Sequence, residues 1–141
     1  MFTEIRKITV VRVKKPQKHT LNDELQWFSN SLGLFNLRDK EKSCFRIFLE
    51  LLKAAKTNTS LTSDELAERS NLSRATVVHH LAKLIDSGLV TAHKRRYFLR
   101  VSNLADLVAE LRKDVARILD DLDEVAQDLD QELGLQEQSN Y

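Results

Sequence analysis

With 141 residues, 42% of them apolar, the chain is long enough for one cored domain with an appended element, and its hydrophobicity argues against wholesale disorder. The net charge of +1 conceals a split: residues 1–101 carry 19 Lys and Arg against 10 Asp and Glu, whereas residues 102–135 carry 3 against 10. No run approaches the roughly 18 uncharged apolar residues of a membrane span, charges at Glu4, Arg6, Lys7 and Arg12 interrupt the block an export signal needs, and the lone Cys44 cannot form an intramolecular disulfide, so no membrane partner and a cytoplasmic location are expected.

The charge split suggests a basic body for a polyanionic partner and an acidic element with another task, or simply two solvated faces of opposite sign. Residues 8–15, ITVVRVKK, are rich in β-branched side chains and stop at Pro16, which predicts a short strand. Thr20, with Asp23 three residues on, can cap a helix over 21–32 that Gly33 ends. Asn36 is the expected cap of a longer helix over 37–56, whose Phe45, Phe48, Leu49 and Leu52 share a face. Trp27, Phe28, Phe35, Phe45 and Phe48 suit either a plain core or the lining of a ligand pocket.

Thr62 and Glu65 form a capping-box pair, flanked by Leu61 and Leu66 as a hydrophobic staple, and so start a helix of about two turns. Asn71, which tolerates the left-handed conformation, ends it. Ser73 caps a second helix that runs to Ser87 and is closed by Gly88. A short helix, a three-residue turn and a longer helix make a helix-turn-helix. Leu89–Ala92 and Tyr97–Val101 are strand candidates joined by His93-Lys94-Arg95-Arg96, so a β-hairpin wing follows.

From Leu104 the apolar residues fall into heptads. Val108, Val115, Leu122 and Leu129 occupy one seam position, and Leu104, Leu111, Ile118 and Val125 the other. About 30 helical residues span roughly 45 Å, too long for a body of this size to cover the stripe. Burying each side chain contributes roughly 1.5–3 kcal/mol before entropy, and a second copy is the simplest partner. A homodimer through this helix is expected, with folding back on the body as the alternative. Asp128, Asp130 and Glu132 sit where the helix dipole favours cations; keeping the stalk away from a polyanion is one role for them.

On a helical wheel for 74–86, Val77, Leu81 and Leu84 face the core, while Ala75, His79 and Lys83 lie opposite. His79 and His80 diverge by about 100° and cannot readily share one ion, because a helical pair of ligands needs i, i+4 spacing. No nucleophile–base arrangement, glycine-rich phosphate loop or zinc spacing occurs. No catalytic residue, metal site or cofactor is expected, and no particular small-molecule effector is indicated.

The run LSRATVVHHLAKLIDSGLV followed by YFL resembles the DNA-reading segment of ArsR-like winged-helix transcriptional regulators. The resemblance covers about residues 61–101. It implies that the second helix enters the major groove and gives base-facing roles to Arg74, Thr76 and His79. The chain lacks the paired cysteines of the metal-sensing members in ELAERS, and residues 102–141 contain no His. By elementary chemistry, Arg74 can donate to guanine, Thr76 offers a hydroxyl or methyl, and Lys83 extends the polar face. Ser73 and the helix start can hold a phosphate; Lys94, Arg95 and Arg96 can reach backbone or minor groove.

The expectation is a mainly α chain: a winged helix-turn-helix with a short β-hairpin wing, an N-terminal strand and a long C-terminal coiled-coil helix. Residues 1–20 form an arm, 21–101 the DNA-binding domain, 102–135 the dimerisation helix and 136–141 a flexible tail. Function follows as a homodimeric, non-enzymatic regulator reading an inverted repeat in double-stranded DNA. The alternative is a winged-helix adaptor in a larger assembly. Cys44 suits an inert core residue, or an oxidant sensor if Lys42 or Arg46 stabilises its thiolate.

Overall fold

The computed structural model describes residues 5–135; the tail expected at 136–141 lies outside them. Helix α1 spans Leu21–Ser31, and the Thr20 hydroxyl accepts from the Asp23 amide at 3.1 Å. Gly33 follows at φ +75, and a Cβ there would lie 2.6 Å from the Thr9 methyl, so glycine is required for both backbone and space.

Helix α2 spans Ser43–Lys56 and starts six residues later than the predicted 37. Asp39, not Asn36, supplies its cap: the Asp39 carboxylate accepts from the amides of Ser43 and Cys44, each at 3.0 Å. Asn36 instead organises a turn, its side-chain oxygen accepting from the Arg38 amide at 2.9 Å. Lys42 at φ +56 separates that turn from the helix.

Helices α3 (Ser63–Ser70) and α4 (Arg74–Asp86) begin at their predicted caps. The reciprocal Thr62–Glu65 box is formed, and Asn71 adopts the left-handed conformation at φ +54. Strands β1 (Val90–His93) and β2 (Arg96–Leu99) pair antiparallel, with Val90 opposite Leu99 and His93 opposite Arg96. Leu61 bridges to Tyr97 through two backbone hydrogen bonds of 2.9 and 2.7 Å, tying the wing to the entry of α3. The body is therefore a mainly α winged helix-turn-helix.

Helix α2 packs on α3, α4 and β2, and α4 packs on β1. The core is aliphatic and aromatic: Ile47, Phe48 and Leu51 from α2, Leu66 from α3, and Val77, Leu81 and Leu84 from α4 are fully buried. Of the five aromatics considered above, Phe45 and Phe48 are core, while Trp27, Phe28 and Phe35 are half-buried.

The predicted N-terminal strand does not form. Residues 8–15 have no regular secondary structure, and among the described residues no strand pairs with them. Two amides of this N-terminal stretch, one just before it at Lys7 and one within it at Val11, turn instead to carbonyls at helix ends, which lack intrahelical partners. Lys7 donates to the Asp86 carbonyl at 2.8 Å, and Val11 donates to the Ser31 carbonyl at 2.7 Å. The Trp27 indole donates to the Val13 carbonyl at 2.9 Å.

Helix α5 spans Leu104–Leu133, started by the Asn103 side chain accepting from the Asp106 amide at 2.8 Å. The chain divides into two compact units between Leu107 and Val108, inside this helix. Burial along α5 does not follow the expected seam evenly. Leu111 is buried, and so is Leu107, which lies off the seam; Leu104, Val108, Val115 and Ile118 are half-buried. Leu122, Val125 and Leu129 are exposed, as are Leu119 and Leu133. No helix among the described residues is long and apolar enough to cross a membrane.

Candidate nucleic-acid interface

Helix α4 has two unlike faces. Val77, Leu81 and Leu84 close the core, and Arg74, His79 and Lys83 are exposed. Ser73 begins the helix with both its hydrogen-bonding functions used locally. Its hydroxyl accepts from the Thr76 amide at 3.1 Å and donates to the Thr76 hydroxyl at 2.8 Å. Thr76 is thereby oriented at the first turn, half-buried. The Arg74 guanidinium lies 3.5 Å from the Asp64 carboxylate, both largely exposed. Such a surface pair is worth at most about 1 kcal/mol, so the guanidinium is available to a stronger acceptor.

The two histidines occupy different environments. His79 is exposed, His80 is only 9% exposed, and their rings meet edge to face with centroids 5.3 Å apart. His80 is buried because the loop before α2 covers it: its Nε2 lies 3.9 Å from the Asp39 carboxylate. Its Nδ1 is buried with no hydrogen-bond partner. Burial pushes the His80 pKa below its usual value, against the pull of Asp39 and with help from His79 and Lys83. Burial works against the Asp39 carboxylate as well, but hydrogen bonds from Cys44 and Ser43 outweigh it and hold Asp39 below the usual carboxylate value. Among the described residues, no three His, Cys, Asp or Glu side chains converge as a metal site.

Cys44 is next to Asp39, to which its amide donates. Burial, then the Asp39 charge, pushes its thiol up to about 11, and Lys83 opposes only in part. The thiolate needed for oxidant sensing is disfavoured there, and neither Lys42 nor Arg46 supplies the stabilisation considered above. The Lys42 ammonium lies 5.7 Å from the centre of the Phe35 ring. The Arg46 guanidinium donates to the Ser70 carbonyl at the end of α3.

The wing places its three cations differently. Lys94 and Arg95 form the two-residue turn, both left-handed, at φ +50 and +64. A two-residue hairpin turn of this kind favours Asn-Gly, since residues other than Gly, Asn and Asp cost roughly 1–2 kcal/mol each there. The strain holds two exposed cations at the tip. Arg96 belongs to β2 and folds back: its Nε donates to the Ser60 hydroxyl at 2.8 Å, and a terminal nitrogen donates to the Ser60 carbonyl at 2.8 Å and the Glu65 carboxylate at 3.4 Å. Hydrogen bonds from Thr62, with the Arg96 and Arg69 charges adding, hold the Glu65 carboxyl below its usual value. Arg96 braces the wing on the start of α3, while Lys94 and Arg95 project.

The structure adds residues that the sequence reading missed. A cleft of about 910 Å³ lies between the loop preceding α2 and the exposed side of α4, with Arg38 and Lys40 on one wall and Thr76, His79 and Lys83 on the other. The predicted helix over 37–56 made Arg38 and Lys40 look like ordinary surface residues of its first turns. The available signal was Asp39 as an alternative cap.

Residues 41–93 match a helix-turn-helix domain family, from just before α2 through β1. No curated protein and no solved structure gives a significant match. Fold and match together define a helix-turn-helix domain with a wing and a long C-terminal helix.

Proposed function

We propose that the chain is a homodimeric, sequence-specific DNA-binding regulator of transcription, ArsR-like in its winged helix, that reads an inverted repeat through the major groove. The carrying observation is the polar side of α4, left uncovered while its aliphatic side closes the core. In this reading Arg74, Thr76, His79 and Lys83 face base edges. Ser73 sits at the helix start, where the helix dipole attracts a phosphate. Lys94 and Arg95 contact the backbone, and Arg96 sets the direction in which they point. Strain retained at a cationic turn supports that assignment, because such strain persists mainly where it serves a function.

Dimerisation falls to α5, whose exposed Leu122, Val125 and Leu129 continue the seam. Two copies related by a two-fold axis place their α4 helices on half-sites about one DNA turn, or a multiple, apart.

The test is selection of bound duplexes from random fragments, followed by titration at several salt concentrations. The expected product is a palindromic site. With roughly 6–10 phosphates contacted, affinity falls by about 10³–10⁵ between 50 and 200 mM salt. Arg74→Ala is expected to lose about 1–3 kcal/mol of discrimination at one base pair per half-site, whereas Arg95→Ala weakens all duplexes alike. A dimer that ignores duplex DNA at 50 mM salt would overturn this reading and leave the adaptor role.

A further inference from the structure

The cleft between the loop before α2 and the polar side of α4 contains cations that the reading above does not use. Arg38 and Lys40 are both exposed, and among the described residues neither forms an ion pair. The acid between them, Asp39, is already committed: it caps α2 through two amides and faces His80. Glu41 is the other acid on this wall. Lys83 adds a further cation from the helix side, with His79 one turn before it.

The loop is held in place. The Leu34 amide donates to the Ser29 carbonyl at 3.0 Å, and the Leu34 side chain is buried. The Asp39 amide donates to the Asn36 carbonyl at 2.9 Å, and the Lys42 amide to the Asp39 carbonyl at 3.1 Å. Leu37 between them is 99% exposed, so none of the described residues covers it. A polyanion therefore meets two cations carried on a hydrogen-bonded backbone, so less chain has to be ordered on binding.

Resting on the reading of α4 as the groove-facing helix, we propose that this cleft seats the DNA sugar-phosphate strand bordering the major groove, with Arg38 and Lys40 as its phosphate contacts. A helix inside the groove has a phosphate strand along its flank, and the loop stands along the flank of α4 that carries Thr76, His79 and Lys83. Contacts of this kind fix register and orientation on the duplex and carry no base preference.

The test compares wild type, Arg38→Ala/Lys40→Ala and a charge-matched control, Lys53→Ala/Lys56→Ala, on α2 outside the cleft. Each is titrated against a selected site and a random-sequence duplex from 50 to 200 mM salt. Each lost phosphate contact lowers the slope of log Kd against log[salt] by about 0.9. Four lost contacts per dimer therefore cut the affinity change over that range by roughly a hundredfold. The expected result is that reduction on both duplexes for the cleft variant alone, with the ratio of specific to random binding kept. An unchanged slope, or an equal fall in the control, overturns the cleft as a backbone site while the DNA reading stands. A wild-type protein that binds neither duplex overturns both.

Discussion

His80 shows how one side chain changes role once its neighbours are known. By pattern it is half of a His-His pair; in the fold it joins α4 to the loop before α2 and lies nearly out of water. Because burial disfavours its charged form, the folded protein resists binding the proton that the unfolded chain accepts near the usual value of 6.5. Its contribution is complete above that pH and declines as the pH drops below it. Asp39 acts in the same direction lower on the scale, since its carboxyl is held below 3.8. Thermal unfolding between pH 7 and 5 is expected to show a falling midpoint for wild type and a flatter profile for His80→Leu. An equally steep profile in the variant would assign the acid sensitivity to other groups.

Among the elements, the wing sets a braced base against a strained, cationic tip. The pairing of β1 with β2 and the Leu61–Tyr97 bridge set its position, Arg96 braces it, and Lys94 and Arg95 hold a turn better suited to other residues. Replacing Lys94 by Asn and Arg95 by Gly relieves left-handed strain of roughly 1–2 kcal/mol per residue. The double variant is expected to unfold at a higher temperature and to bind every duplex more weakly, with sequence preference kept. Stability and affinity rising together would remove the wing from the interface. The start of α2 shows the limit of pattern reading. The apolar spacing of Phe45, Phe48 and Leu52 was legible, but the boundary was decided by Asp39, whose carboxylate reaches two amides only after Lys42 turns left-handed.

For the whole molecule, the second half of α5 carries Leu119, Leu122, Val125, Leu129 and Leu133 in water, an arrangement that asks for a partner. One flank of the seam holds Asp121 and Asp128; the other holds Leu119, Ala126 and Leu133. In a parallel pair unlike flanks meet, whereas an antiparallel pair sets acid against acid. A parallel dimer is the expected arrangement. Sedimentation should give a dimer at micromolar concentration, and Leu129→Cys should cross-link on oxidation. Wild type serves as the background, since the Cys44 thiol, pushed up to about 11, reacts poorly. A dimer that fails to cross-link would mean antiparallel pairing, and a monomer would remove the stalk's role.

The capping box at Thr62, the left-handed Asn71, the cap at Ser73 and the helix from Leu104 were all readable from the chain, because each depends on contacts within one or two helical turns. Tertiary structure decided the rest. Whether residues 8–15 became a strand depended on a pairing neighbour, and none is present among the described residues. The cleft wall of Arg38 and Lys40, the burial of His80 and the bracing of Arg96 depend on groups more than 30 positions apart in the sequence. Local patterns specify what a segment can form, and only packing specifies what it faces.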